Sequence, residues 1–250
     1  MKIQFIRHAT MMICTENKKI IVDPMFSPAG TMSAIPDVPN KANNPLVDLP
    51  CELSRLTDID AILITHTHRD HFDDLAVELL PKNVPLFCQP EDAEKIHGAG
   101  FLNIKPVHHS YTWDGLTIYR TGGQHGTGEI GQKMGPVSGF VLCSIGDLSL
   151  YIIGDSIWCN EVERALNIYR PHGIVCFAGA AQFSTGEPIT MTAQDVHQVC
   201  LHAPRAKVFA AHMDTWNHCS LSRQELREYI RNASLTRQVF VPNDGDLLQL

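Results

Sequence analysis

Ala61-Ile62-Leu63-Ile64-Thr65-His66-Thr67-His68-Arg69-Asp70-His71 is the stretch that decides the fold. Its first four residues are apolar, in a run too short for a helix and suited to a buried strand. Directly after them stand four potential metal ligands within six residues, His66, His68, Asp70 and His71. On an extended backbone His66 and His68 project from the same side, so both imidazoles can grip one ion. Asp70 and His71 follow the turn and can face a second ion. Imidazole and carboxylate, with thiolate absent, suit zinc, iron or manganese. One His at a strand end is usually a surface group, but H-x-H-x-D-H against a strand is far more specific, and it predicts metal binding.

Further ligands are expected at other strand ends. Short apolar runs read as strands at 3–6, 20–22, 116–119, 140–143, 148–153, 174–177, 207–210 and 238–241. Asp23 follows the run at 20–22, His125 the run at 116–119, Asp155 the run at 148–153 and His212 the run at 207–210. Each alone reads equally well as a turn or loop residue. Together they supply the roughly six protein ligands that two divalent ions need, with one carboxylate able to bridge.

Helical signals are clearest late in the chain. Asn160 with Glu163 opens a segment stopped by Pro171, Thr192 with Asp195 opens one ending before Pro204, and Ser222 with Glu225 is a capping box for 223–233. Shorter helices are expected at 74–80 and 91–97. Strands dominate the first 155 residues and then alternate with helices, which predicts a layered α/β or α+β domain. The 250 residues are read as one domain. The segment 24–50 holds six of the fifteen Pro and predicts a loop or flap beside a site.

Composition narrows the function. The chain is 44% hydrophobic and 19% charged, with a formal charge of -7, so the basic surface that dominates nucleic-acid affinity is not signalled and no nucleic acid is expected as a partner. No apolar run reaches the length of a membrane span, so no membrane is expected. The eight Cys lack any C-x-x-C pair and read as reduced thiols, which with the absence of a secretory leader predicts a cytoplasmic protein. A homo-oligomer is compatible with the sequence.

Thr65-His66-Thr67-His68-Arg69-Asp70-His71, then His125, Gly154-Asp155-Ser156 and His212, in that order, resemble the metallo-β-lactamase-fold hydrolases over essentially the whole chain. Phe5-Ile6-Arg7-His8-Ala9-Thr10 followed by Lys19-Ile20-Ile21-Val22-Asp23-Pro24 is similar to the branch of L-ascorbate-6-phosphate lactonase-like proteins. Arg7 stands where that branch usually has Gly. The resemblance implies a four-layer αββα sandwich and two divalent ions, Zn2+ first, Mn2+ or Fe2+ as alternatives. It places His66, His68 and His125 on one ion, Asp70, His71 and His212 on the other, and Asp155 between them. Asp23 would orient a ligand from behind, and His8 would face the pocket from the first strand.

Two dications about 3.5–4 Å apart can acidify a shared water towards neutral pH and polarise the bond under attack. The expected activity is therefore hydrolysis of a small polar or anionic molecule, a lactone, ester or amide, by a metal-bound hydroxide. Asp70 and His8 are the candidate catalytic groups and His218 the candidate substrate-binding residue, although His218 reads equally well as a surface His. Small-molecule phosphodiester hydrolysis is the alternative, and a metal-stabilised binding or sensing module is the non-enzymatic one. Oxygen or nitric-oxide reduction is disfavoured, because di-iron relatives of the fold carry Glu where His68 stands. The other six His (97, 108, 109, 172, 197 and 202) are expected to be surface, helix or loop residues.

Overall fold

The computed structural model describes residues 1–15, 18–144 and 148–250. Its strands, in chain order, are β1 (Lys2–Arg7), β2 (Thr10–Cys14), β3 (Lys19–Val22), β4 (Ala61–Ile64), β5 (Leu86–Cys88), β6 (Ile104–Pro106), β7 (Ser110–Trp113), β8 (Leu116–Thr121), β9 (Gly139–Ser144), β10 (Leu150–Ile152), β11 (Gly173–Phe177), β12 (Lys207–Ala211), β13 (Val239–Phe240) and β14 (Leu247–Gln249). They form two 7-stranded sheets, ordered β14-β1-β2-β3-β4-β5-β6 and β13-β12-β11-β10-β9-β8-β7. The helices are α1 (Ser54–Thr57), α2 (Asp74–Leu79), α3 (Ala93–Gly98), α4 (Gly128–Met134), α5 (Asn160–Tyr169), α6 (Ala193–His202) and α7 (Arg223–Asn232).

Side-chain alternation along the strands builds four layers. Ala61 and Leu63 of β4 join Phe5, Ile20 and Val22 in a core that also takes Ile118, Phe140, Ile152, Phe177 and Phe209 from the other sheet. The two sheets therefore face each other across apolar surface. Ile62 and Ile64 point the opposite way and pack with Ala76, Leu80 and Ile96 under α2 and α3. On the far side Ile174, Cys176 and Val208 meet Val162, Leu166, Val196, Val199, Leu226 and Ile230 of α5, α6 and α7. The fold is the expected αββα sandwich.

Strand direction decides where chemistry can gather. β1 is antiparallel to β2 and β2 to β3, while β3 and β4 are parallel, so β1, β3 and β4 share one direction. In the second sheet β10, β11 and β12 are parallel, and β8 regains that direction through antiparallel β9. His8, Asp23, His66, His125, Asp155 and His212 all follow the carboxyl ends of these co-directed strands. A hydrogen bond from His212 N–H to His8 O (2.8 Å) ties the two sheets together at that edge.

The segment 24–50 forms no regular element beyond the bridge between Met32 and Asn44. It is tied down at both sides. The buried Arg7 guanidinium donates to the carbonyls of Val47 (2.8 Å), Met25 (2.9 Å) and Ser27 (3.1 Å). Asp73, which caps α2 by accepting from Ala76 N–H, also accepts from Phe26 and Ser27 N–H. On the other side Asn217 exchanges hydrogen bonds with Asn44, Ile35 and Asn40. The segment thus lies against the turn that follows His212.

Helix boundaries differ from the sequence expectation at four helices: α2 ends at Leu79 and α7 at Asn232, each one residue early, and two more differ as well. Cys159, not Asn160, precedes the first turn of α5, and Asn160 is its first helical residue. The stretch expected at 91–97 splits into a 3₁₀ turn, Pro90–Asp92, and α3, which runs through Gly98. The capping boxes of α6 and α7 are both formed. Ser222 Oγ accepts from Glu225 N–H, and the Glu225 carboxylate accepts from Ser222 N–H at 2.9 Å. Ser222→Ala removes that cap and is expected to cost about 1 kcal/mol, lowering Tm by about 2–4 °C in a chain of this size. Thermal unfolding followed by circular dichroism measures it.

Candidate metal centre

Three of the strand-end residues have left-handed backbone, His8 (φ 59), Asp23 (φ 42) and His212 (φ 64). For non-glycine residues such a conformation costs on the order of 1–3 kcal/mol and persists where the surroundings enforce it. Gly154 (φ 78) makes the turn between β10 and Asp155, and a Cβ there would lie 2.6 Å from Ser138 O. A Cβ on Gly179 would clash with His212 O, so the turn after β11 can approach His212 only because residue 179 lacks a side chain.

These turns bring the candidate ligands into one buried cluster. His66, His68 and His125 form one group, His66, His71 and Asp155 a second, and His8, Asp70, His71 and His212 a third, with the ligand atoms of each group within 4.8 Å of one another. Asp155 touches all sides: its Oδ2 lies 3.2 Å from His71 Nε2, 3.4 Å from His125 Nε2 and 3.8 Å from His66 Nε2, and its Oδ1 lies 3.4 Å from His212 Nε2. Asp70 Oδ2 is 3.3 Å from both His8 Nε2 and His212 Nε2 and 3.7 Å from His71 Nε2.

The backs of the rings are held by the protein. Asp23 accepts from Thr65 N–H and Thr65 Oγ1–H, each at 2.7 Å, and its Oδ2 lies 2.9 Å from His71 Nδ1. Nδ1 of His66 is 3.1 Å from Thr65 Oγ1, and Nδ1 of His125 is 2.8 Å from Ile189 O. Cys219 Sγ stands 3.7 Å from His212 Nδ1. Nε2 of these four rings is thereby directed inward. His68 is reversed, with Nδ1 facing His66 Nε2 at 2.9 Å.

The electrostatics fit a cation. Burial lowers His66 and His8 well below the ordinary imidazole value, helped by His71 beside the first and His212 beside the second. Burial works the same way on His71, yet Asp155, Asp70 and Asp23 outweigh it and raise that ring to about 10. His212 is raised by Asp155, Cys219 and Asp70 against the same penalty. Burial opposes ionisation of Asp70 and Asp155, but the imidazoles facing them hold both carboxyls well below the usual range. A divalent ion held by these nitrogens would compete with protons for them, so that binding one would release protons. Asp155 Oδ1 is buried and accepts no hydrogen bond, and His71 Nε2 meets His212 Nε2 at 3.2 Å, two donor atoms converging on one point. The donor set is therefore able to bind metal.

His8 enters this cluster more deeply than expected, since its Nε2 belongs to the third ligand group as well as facing the pocket. No local spacing announced that. His218 is buried, 8% exposed, and its ring centroid is 6.4 Å from that of His212. Among the remaining His, 97, 108, 109, 172 and 202 are exposed and 197 is half-buried.

Residues 18–213 match the beta-lactamase superfamily domain, and the chain belongs to that superfamily. Within it the chain falls in the UPF0173 group: it is 36% identical to the UPF0173 protein YddR of Bacillus subtilis over 250 residues, covering 98% of both chains. It is 32% identical to a possible metal-dependent hydrolase from Veillonella parvula, with a TM-score of 0.96 and 100% and 99% of the two chains covered. It is similar at the same identity to the isothiocyanate hydrolase from Delia radicum gut bacteria, with a TM-score of 0.95 and the same coverage.

Asp23→Ala leaves His71 Nδ1 without its acceptor. The expected outcome is a 10–100-fold loss of metal affinity, in line with what removal of such orienting partners costs, measured by competition against a zinc chelator.

Proposed function

We propose that the chain is a dinuclear metal-dependent hydrolase of a small molecule, attacking an electrophilic carbon of the carbonyl type. The observation that carries this reading is Asp155, whose two oxygens reach His66, His71 and His125 on one side and His212 on the other. In this assignment His66, His68 and His125 would hold one ion and Asp70, His71 and His212 the other, with Asp155 shared between them. His8 lies close enough to join the second set. Zinc is the first candidate, manganese and iron follow. Bound ions would supply Lewis acidity, acidifying water and polarising the scissile bond.

The chain's own groups divide the remaining work. Asp70 is the most accessible of the three site carboxylates, 7% exposed against 0% for Asp23 and 2% for Asp155. His8, His71 and His212 crowd its Oδ2, which leaves Oδ1 to take and return the proton. His8 holds Asp70 from the end of β1, and Asp23 fixes His71 and the Thr65 turn.

Met25, Met32, Ile35 and Trp216 pack together, and the Arg7 guanidinium donates to Met25 O and Met25 Sδ. The substrate proposed is a small polar or anionic molecule, with small-molecule phosphodiester hydrolysis as the alternative. Lactones, esters and amides fit. An isothiocyanate, whose central carbon is also electrophilic, is the second reading, favoured by the relative that hydrolyses it.

Hydrolysis of γ-nonalactone, benzyl acetate, phenylacetamide, benzyl isothiocyanate and a phosphodiester, measured with and without chelator, tests the reading. Turnover of a carbon electrophile that is lost on chelation and restored by zinc or manganese is expected. Asp155→Ala is expected to lower that activity about a hundredfold or more and to reduce the metal bound per chain. A variant retaining full metal and full activity would exclude the bridging role.

A further inference from the structure

Most of the buried side-chain polar atoms that find no hydrogen-bond partner gather in one place. Among the described residues they are Arg7 Nε, His8 Nδ1, Asp155 Oδ1, Trp216 Nε1 and His218 Nδ1. Asp155 Oδ1 is explained by a metal ion. His8, Trp216 and His218 are 0%, 3% and 8% exposed, so each leaves a ring nitrogen in a dry environment. A buried donor without a partner is a standing cost, and a group of them beside a reactive centre calls for a ligand.

The three rings lie close together. Trp216 lies 6.2 Å from His8 and 6.1 Å from His218 between ring centroids, and His218 lies 6.4 Å from His212. His8 packs on His212 at 3.6 Å. Asn217, between the two outer rings in sequence, is locked to the 24–50 segment by five hydrogen bonds. Trp216 and His218 are held in place by that lock, so swinging out to solvent is not open to them. Met25 and Met32 pack against Trp216, with Ile35 beside them.

We infer that the Trp216 indole N–H is a substrate-binding donor, which hydrogen-bonds an acceptor heteroatom of the substrate. This rests on the hydrolase reading for its kinetic consequence, and on the geometry alone for binding. Trp is well suited to the role, since Nε1–H donates only, stays neutral at every working pH and sits on a rigid ring. His218 flanks it as a second neutral partner. The 24–50 segment thereby bears on substrate binding by fixing Asn217.

Trp216→Phe tests the inference because it keeps most of the ring packing and deletes the N–H. The chain has three Trp, 113, 158 and 216, so the indole N–H signals of zinc-loaded, 15N-labelled protein are three, and the variant identifies that of Trp216. Titration with phenylacetamide is expected to move the Trp216 signal downfield and leave the other two in place, whereas toluene, which has no acceptor, is expected to cause no downfield movement. In kinetics on γ-nonalactone and benzyl isothiocyanate, the variant is expected to lose about ten- to a hundredfold in kcat/KM, with metal content unchanged and Tm unchanged or raised. A Trp216 signal indifferent to phenylacetamide overturns the donor site. So does a variant whose kcat/KM stays within twofold on a substrate the wild type hydrolyses. The titration is read with or without turnover, so absence of hydrolysis by the wild type overturns the proposed reaction and leaves the donor site to be decided by the indole shift.

Discussion

Five imidazoles and two carboxylates with almost no access to water have to be reconciled at the edge of this sandwich. Left to burial alone, each ring would be neutral and each carboxyl protonated. Their mutual contacts instead ionise Asp70 and Asp155 and charge His71 and His212. Even so, the match is incomplete, because Asp155 Oδ1 stays without a hydrogen bond and two ring nitrogens meet at 3.2 Å. The proposed pair of divalent cations would satisfy all of these groups at once. The rest of the molecule can be understood as the apparatus that keeps them together: co-directed strands, left-handed turns at the strand ends, and a ring of acceptors behind the imidazoles.

That apparatus explains how much could be read from sequence. The β4 segment was legible because a four-residue apolar run and alternating His have only one sensible geometry. His125, Asp155 and His212 were legible as strand-end residues: the strand before Asp155 is apolar and buried throughout, the one before His212 is so after Lys207, and the one before His125 buries Leu116 and Ile118 on one face. The Ser222 and Thr192 boxes follow a spacing rule that needs no tertiary context.

What escaped depends on groups distant in sequence. β7 (Ser110–Trp113) is half-exposed and carries no apolar run, and β14 pairs with β1 across almost the full chain length. α4 buries no side chain, so it has no apolar stripe to find. Ile189 O behind His125 and Cys219 behind His212 are contacts that no motif encodes. Trp216 is the instructive case, because an aromatic residue in a polar turn reads as packing until its N–H is found buried and unpaired. The Pro-rich segment, expected beside a site, packs against the turn that follows His212 through Asn217 and Trp216.

The central claim is that two metal ions complete this cluster. Isothermal titration of zinc into chelator-stripped wild-type protein tests it most directly. Two equivalents bound per chain, with release of protons from the displaced imidazolium groups, is the predicted result. Saturation at one equivalent, or no binding, would contradict it.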